Sequence, residues 1–72
     1  MESLHPRAQN LLEHLRKPGG VSRQYLDKLH GEHRQLSNSP VATPEERGLH
    51  ADLARAIEIR FKELDTIDLL DS

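Results

Sequence analysis

Apolar residues in the second half of the chain recur at steps of three and four between Leu49 and Ile67. This spacing places them on one face of an α-helix. Thr43 supplies a capping hydroxyl at the start of this helix, and Pro44 supplies a φ that suits the first helical position. We therefore predict a long helix over residues 44–68. Its apolar stripe consists of Leu49, Leu53, Ala56, Ile57, Phe61, Leu64 and Ile67.

A first, shorter helix is predicted over residues 4–17. Its N-cap is Ser3, and Pro6 falls in the opening turn, where a missing N–H removes no helical hydrogen bond. The helix ends at Lys17, because the residue before Pro18 disfavours the α region. The apolar face of this helix consists of Leu4, Ala8, Leu11, Leu12 and Leu15.

A second short helix is predicted over residues 22–36, with Ser22 as its N-cap. Its apolar stripe is narrower than that of the long helix and is similar to the seam of a coiled coil. The Ser-Asn-Ser-Pro segment at residues 37–40 predicts the loop that follows. The stripe consists of Leu26, Leu29, His33 and Leu36.

These patterns predict an all-α fold in which two short helices pack against the long one. A single domain of 72 residues hides only about 60% of the surface that its unfolded chain exposes. Small domains commonly compensate with disulfides, metals or self-association, and this chain has no cysteine. We therefore expect the fold to be completed by homodimerisation. Phe61, the only phenylalanine, is expected in the core.

The formal net charge of −2 conceals an uneven distribution. Residues 1–38 carry a net charge of +2 and residues 39–72 carry −4, so the two halves attract each other within or between chains. No apolar run is long enough to span a membrane, and the N-terminus shows no signal-peptide core. A chain without cysteine is compatible with a reducing cytosol. We expect a soluble, cytoplasmic protein without a membrane partner.

Histidines invite a metal-site interpretation, above all in the segment His30-Gly31-Glu32-His33. The spacing can place both imidazoles on one helical face, but a His/Glu zinc site needs at least three convergent ligands in a supported shell. We therefore predict no metal. His33 occupies a position where the seam normally carries leucine, which predicts a packed or interfacial histidine whose titration makes assembly sensitive to pH.

The sequence contains no pattern of residues that indicates catalysis. Ser3 and Ser22 suit helix caps, and two further serines lie in the predicted loop. The pair Gly19-Gly20 follows a helix and lacks the lysine and hydroxyl residue of a phosphate-binding loop. We therefore expect a protein that is not an enzyme and needs no cofactor.

Features of the long helix favour a protein partner. Ile59 lies outside the main apolar stripe, Leu69 lies nearly opposite it, and Arg60 sits among apolar residues. Apolar positions on two sides of a helix indicate a second packing surface, and arginine is a common interface anchor. Aspartates near the end of this helix oppose its dipole, so we expect that end to fray. We interpret the protein as a regulator, adaptor or inhibitor. The predicted partner-binding residues are Ile59, Arg60, Glu63, Ile67, Leu69 and Leu70.

An alternative interpretation comes from the segment over residues 11–26. Its leucine-rich helix, Gly-Gly turn, Val-Ser pair and second helix resemble the opening of many helix-turn-helix domains. This resemblance implies a DNA-binding transcriptional regulator whose reading helix follows within a few residues. The next segment, residues 32–37, is short and follows a glycine, and the acidic second half opposes phosphate binding. Protein binding is therefore the main hypothesis, and DNA binding is the alternative.

Overall fold

The computed structural model of the protein describes residues 4–17 and 21–71. Three helices account for most of these residues: α1 (Pro6–Arg16), α2 (Arg23–Ser37) and α3 (Pro44–Asp71). The described residues contain no strand, so the predicted all-α class and the order of two short helices followed by one long helix are confirmed.

The first helix begins two residues later than the sequence predicts. His5 is its N-cap, and the His5 Nδ1 atom accepts a hydrogen bond from the backbone N–H of Arg7 at 3.1 Å. The predicted cap, Ser3, lies outside the described residues. At the other end Lys17 adopts an extended conformation with φ −65° and ψ 145°, as expected for a residue before proline. The Pro-Gly-Gly segment that follows also lies outside the described residues.

The predicted caps of the other two helices are confirmed. The Ser22 hydroxyl accepts from the backbone N–H of Tyr25 at 3.2 Å, and the Thr43 hydroxyl accepts from that of Glu46 at 3.1 Å. Each bond satisfies an amide that the first helical turn leaves without a partner. The second helix ends at Ser37, one residue beyond its predicted end.

The long helix continues to Asp71, three residues beyond its predicted end at residue 68. A cation from another helix lies beside this end. The Arg23 guanidinium donates to Asp65 at 2.9 Å and to Asp68 at 2.8 Å, which offsets the repulsion between these carboxylates and the negative helix end. Neither α3 nor any other described helix is long and apolar enough to cross a lipid bilayer.

Polar contacts show that α1 and α3 run in the same direction. The backbone N–H of His5 donates to the Asp52 carboxylate at 3.0 Å, and the Arg16 Nε donates to Glu63 at 3.0 Å. Both pairs are separated by 47 residues in sequence. A constant separation means that the two helices advance together, so α1 is parallel to α3 and lies beside its middle part.

Contacts between α2 and α3 show the opposite direction. Arg23, at the start of α2, contacts Asp65 near the end of α3. His33, near the end of α2, contacts His50 near the start of α3. The loop over residues 38–43 therefore joins two antiparallel helices. In the described part of the chain, α1 and α2 each pack along α3, and their backbones do not approach each other closely.

The core consists of two small apolar clusters. One joins α1 to α3 and contains Ala8, Leu12 and Ala56. The other joins all three helices and contains Leu15, Leu26 and Ile57. Phe61 is only partly buried against the edge of the second cluster, which corrects the expectation that it lies in the core. The largest fully buried side chains are those of Leu26 and Ile57.

The contacts of Ile57 generate a stability prediction. Ile57→Ala should lower the free energy of unfolding by about 2–5 kcal/mol, because it leaves a cavity where all three helices meet. Val41→Ala is the control, because the Val41 side chain is 92% exposed and its loss should change stability by no more than about 0.5 kcal/mol. Urea unfolding followed by circular dichroism measures both. Equal stability of the two variants would contradict this core assignment.

Candidate functional site

The residues predicted to bind a partner fall into two groups in the structure. Those in the first group contact other described residues of the domain, on α1 or on α3 itself: Ile59, Arg60 and Glu63. Those in the second group are exposed: Ile67, Leu69 and Leu70. We refer to the second group as the apolar end of α3.

The position of Ile59 outside the main apolar stripe has an internal explanation. Its side chain packs against the cluster formed by Ala8, Leu12 and Ala56. Because α1 and α2 lie against different sides of α3, the long helix needs apolar residues on both sides. The second packing surface inferred from Ile59 is therefore the contact with α1.

Arg60 and Glu63 belong to an ion-pair network that joins α1 to α3. Arg16 donates to both carboxylate oxygens of Glu63, one of them through its Nε at 3.0 Å, and Arg60 donates to the same carboxylate at 3.2 Å. Two-point contacts of this kind are geometrically specific. The Arg16 hydrogen bonds hold the pKa of Glu63 below its ordinary value, burial opposes this shift, and the hydrogen bond from Arg60 adds to it.

The apolar end of α3 extends beyond the part of that helix covered by α1. The last residue of α1, Arg16, pairs with Glu63, one turn before Ile67. Leu69 and Leu70 are 76% and 80% exposed. Successive residues of an α-helix are rotated by about 100° around its axis. Ile67 and Leu70 therefore lie on neighbouring faces, and Leu69 lies further around the helix. These side chains therefore surround the last turns of α3 instead of forming a single stripe.

His33 makes its contact within the chain, with a histidine that sequence analysis missed. The Nδ1 atoms of His33 and His50 are 3.0 Å apart, and their rings stack with centroids 5.2 Å apart at an angle of 24°. Burial, followed in importance by the charge of His50, lowers the pKa of His33. A signal for this pair exists in the sequence, because both histidines lie at similar distances from the loop of a predicted helical hairpin.

His30 occupies a different environment, one turn earlier in α2. Its ring meets the edge of Phe61, with centroids 6.3 Å apart, and its buried Nε2 lies 3.8 Å from a Glu58 carboxylate oxygen without a hydrogen-bond partner in the structure. Within residues 4–17 and 21–71, no three histidine or carboxylate side chains converge as metal ligands. The same described residues enclose no pocket.

Two arginines flank the turn of the segment that resembles a helix-turn-helix opening. Arg16 precedes this turn and pairs with Glu63, whereas Arg23 follows it and pairs with Asp65 and Asp68. Carboxylates of α3 therefore offset both charges locally. This pairing reduces the positive charge that the turn presents to a phosphate backbone.

Comparison with known proteins adds no functional information. No protein-family model, curated protein sequence or solved structure matches the chain.

The ion-pair network generates a prediction about pH. Glu63→Gln should lower the melting temperature at neutral pH, because Arg16 and Arg60 lose a charged acceptor. Since the folded state lowers the pKa of Glu63, this stabilisation is present above the unfolded pKa and is lost as the pH falls through the folded pKa. The melting temperatures of variant and wild type should therefore converge as the pH falls through the folded pKa of Glu63, which lies below the ordinary value for glutamate. Calorimetry across pH checks this, with the exposed Asp27→Asn as control. A difference that persists in stronger acid would contradict the assignment.

Proposed function

We propose that the protein is a small non-catalytic module that binds another protein through the apolar end of α3. Such a module would act as a regulator, adaptor or inhibitor. One observation carries the proposal: Leu69 and Leu70 expose more than three quarters of their side chains on a helix that continues past its last contact with α1. A cytoplasmic location is part of this proposal, because a chain without cysteine suits a reducing compartment.

The clustering of exposed apolar residues supports this proposal. Single exposed apolar side chains are normal on protein surfaces. Here three occur within four residues of one helix end. An apolar helix end is suited to a groove on a partner, which buries these side chains and gains the hydrophobic free energy that the domain leaves unused.

The charge around the apolar end of α3 indicates the chemistry of the partner. Asp65 and Asp68 share the single cation of Arg23, which leaves one negative charge in excess. A complementary groove would be apolar at its centre and basic at its rim. Basic residues at the rim would speed association and exclude acidic competitors more than they would raise affinity.

Replacing both exposed leucines tests the proposed surface. The double variant Leu69→Ser, Leu70→Ser should keep the helical content and weaken capture of the partner at least tenfold, which corresponds to about 1.4 kcal/mol. Capture is measured by incubating immobilised protein with lysate of its native host and quantifying bound proteins by mass spectrometry.

Val41→Ser is the matched control for this experiment, because it removes an exposed apolar side chain from the opposite end of the molecule. Proteins retained by the wild type and the control but lost from the double variant would support the proposal. Identical capture by all three would overturn it.

We also propose that the fold is completed by homodimerisation. The chain exposes 5437 Å² of surface, and its Cα radius of gyration is 13.0 Å. A compact monomer of this size would expose about 4500 Å² with a radius of gyration of about 11 Å. The excess of about 900 Å² is similar to the area of about 800 Å² that one partner contributes to a standard interface.

The exposed edge of α2 is the proposed contact between the two copies. Tyr25 and Leu36 are both exposed, and a separation of three turns places them on the same side of this helix. Leu29 lies between them and is partly buried against the core. Two such edges would bury one another's apolar side chains in the manner of a coiled-coil seam.

Light scattering tests the dimer. At tens of micromolar the protein should show twice its chain mass of 8.2 kDa, and Leu36→Glu should show the mass of one chain, because it places charge in the proposed seam. Gln35→Glu is the control, since Gln35 is exposed on a different side of α2 and its variant should remain dimeric. A wild-type protein that stays monomeric over this range would refute homodimerisation, and a dimeric Leu36→Glu variant would refute the proposed interface.

A further inference from the structure

The contact between His33 and His50 constrains the protonation of both rings. Their Nδ1 atoms lie 3.0 Å apart. At this distance the Nδ1–H of one ring donates a hydrogen bond to the Nδ1 lone pair of the other ring. At least one of the two imidazoles must therefore be neutral. When both rings are protonated, both Nδ1 atoms carry hydrogens and both rings are positive, so the stacked contact cannot persist.

The surroundings of the pair favour the neutral form of His33. Burial and the neighbouring His50 lower the pKa of His33, His30 acts in the same direction, and Glu32 opposes them. These groups belong to the two helices that meet at the pair, α2 and α3. One turn before His50, α3 carries a glutamate and an arginine at residues 46 and 47, which contribute opposite charges.

This end of the helical hairpin has few apolar contacts besides the histidine pair. The buried residue of α2 is Leu26, near the opposite end of the helix. Val41, which lies in the loop after His33, is almost fully exposed. Gly31 lowers the helical propensity of the intervening segment, and no neighbouring atom lies close enough to require a glycine there. The segment from His33 into the loop is therefore held weakly compared with the start of α2.

We propose that His33 and His50 form a proton-sensitive latch between the last turn of α2 and the start of α3. At neutral pH the latch is closed by the hydrogen bond between the rings. Uptake of a further proton in mild acid leaves no lone pair between the two Nδ1 atoms. The rings then separate and release residues 33–50, which comprise the end of α2, the loop and the first turns of α3. The two core clusters, which contain no titratable group, remain packed. This inference concerns the end of the molecule opposite to the proposed partner surface and does not depend on it.

The direction of the pH effect follows from the neutral form that the fold prefers. A histidine whose pKa is lowered in the folded state stabilises that state above its unfolded pKa of about 6.5, and this stabilisation is lost as the pH falls through the folded pKa. If the opened state binds one more proton than the closed state, the equilibrium constant for opening rises by up to about tenfold for each unit by which the pH falls.

Hydrogen exchange measured by mass spectrometry tests the latch on the full chain. When the pH is lowered from about 7.5 to about 5.5, the hydrogen-exchange rates of residues 33–50, corrected for intrinsic exchange, should rise by about tenfold or more. The corrected rates of residues 8–15 should change little. Equal protection of residues 33–50 at both pH values would overturn the proposal. A uniform loss of protection across both segments would also overturn it, because that result describes global unfolding.

Two variants separate the pair from other titrating groups. His33→Gln combined with His50→Gln keeps two side chains that can hydrogen bond but removes titration, so the pH dependence over residues 33–50 should disappear. His14→Gln, on the exposed surface of α1, should retain the pH dependence of the wild type. If exchange over residues 33–50 still depends on pH in the double variant, the proposal is overturned. If the double variant does not fold, nuclear magnetic resonance of the wild-type imidazoles decides the question, because independent titration of the two rings without release of residues 33–50 would contradict a latch.

Discussion

The burial of Ile57 between Leu15 and Leu26 is the contact on which the rest of the structure depends. It is the place where all three helices meet, in a chain with one phenylalanine and one tyrosine. Alanines at positions 8 and 56 form much of the other cluster and let α1 approach α3 closely. A core of this size leaves little reserve of hydrophobic free energy, so polar contacts between helices influence the final arrangement more than they would in a larger domain.

Charged contacts set the alignment of the short helices on the long one. Arg16 fixes the end of α1 beside Glu63, and Arg23 fixes the start of α2 beside Asp65 and Asp68. Exposed ion pairs of this kind contribute little stability individually. Their geometry nevertheless favours one relative position of the helices over others. These ion pairs show that the attraction expected between the positive and negative halves of the sequence acts within the chain.

The length of α3 leaves two ends of the molecule under weaker structural constraint. The helix spans 28 residues, whereas α1 spans 11 and covers only its middle part. Beyond α1, one end exposes Leu69 and Leu70, and the other relies on the contact between His33 and His50. Because neither end contributes much to the core, residues there can change with little effect on folding. This separation allows a small domain to carry surface properties that its core does not dictate.

The sequence alone determined the elements of this fold, because helix formation depends on local physics. Apolar spacing identified three helices in the correct order, and the hydroxyls of Ser22 and Thr43 marked two of their starts. The end of α3 lies beyond its predicted position, where a side chain from another helix pairs with its aspartates. Arg23 stabilises the end of α3 across more than forty residues of sequence.

The tertiary structure alone decided what each surface residue contacts. Ile59 and Glu63 matched the pattern of an interface, yet α1 satisfies both within the domain. His33 was recognised as unusual in its seam, but its partner His50 followed only from the alignment of two antiparallel helices. Such pairings depend on the relative position of whole helices, which is set by long-range packing, whereas residue patterns along a single helix report only which face is apolar.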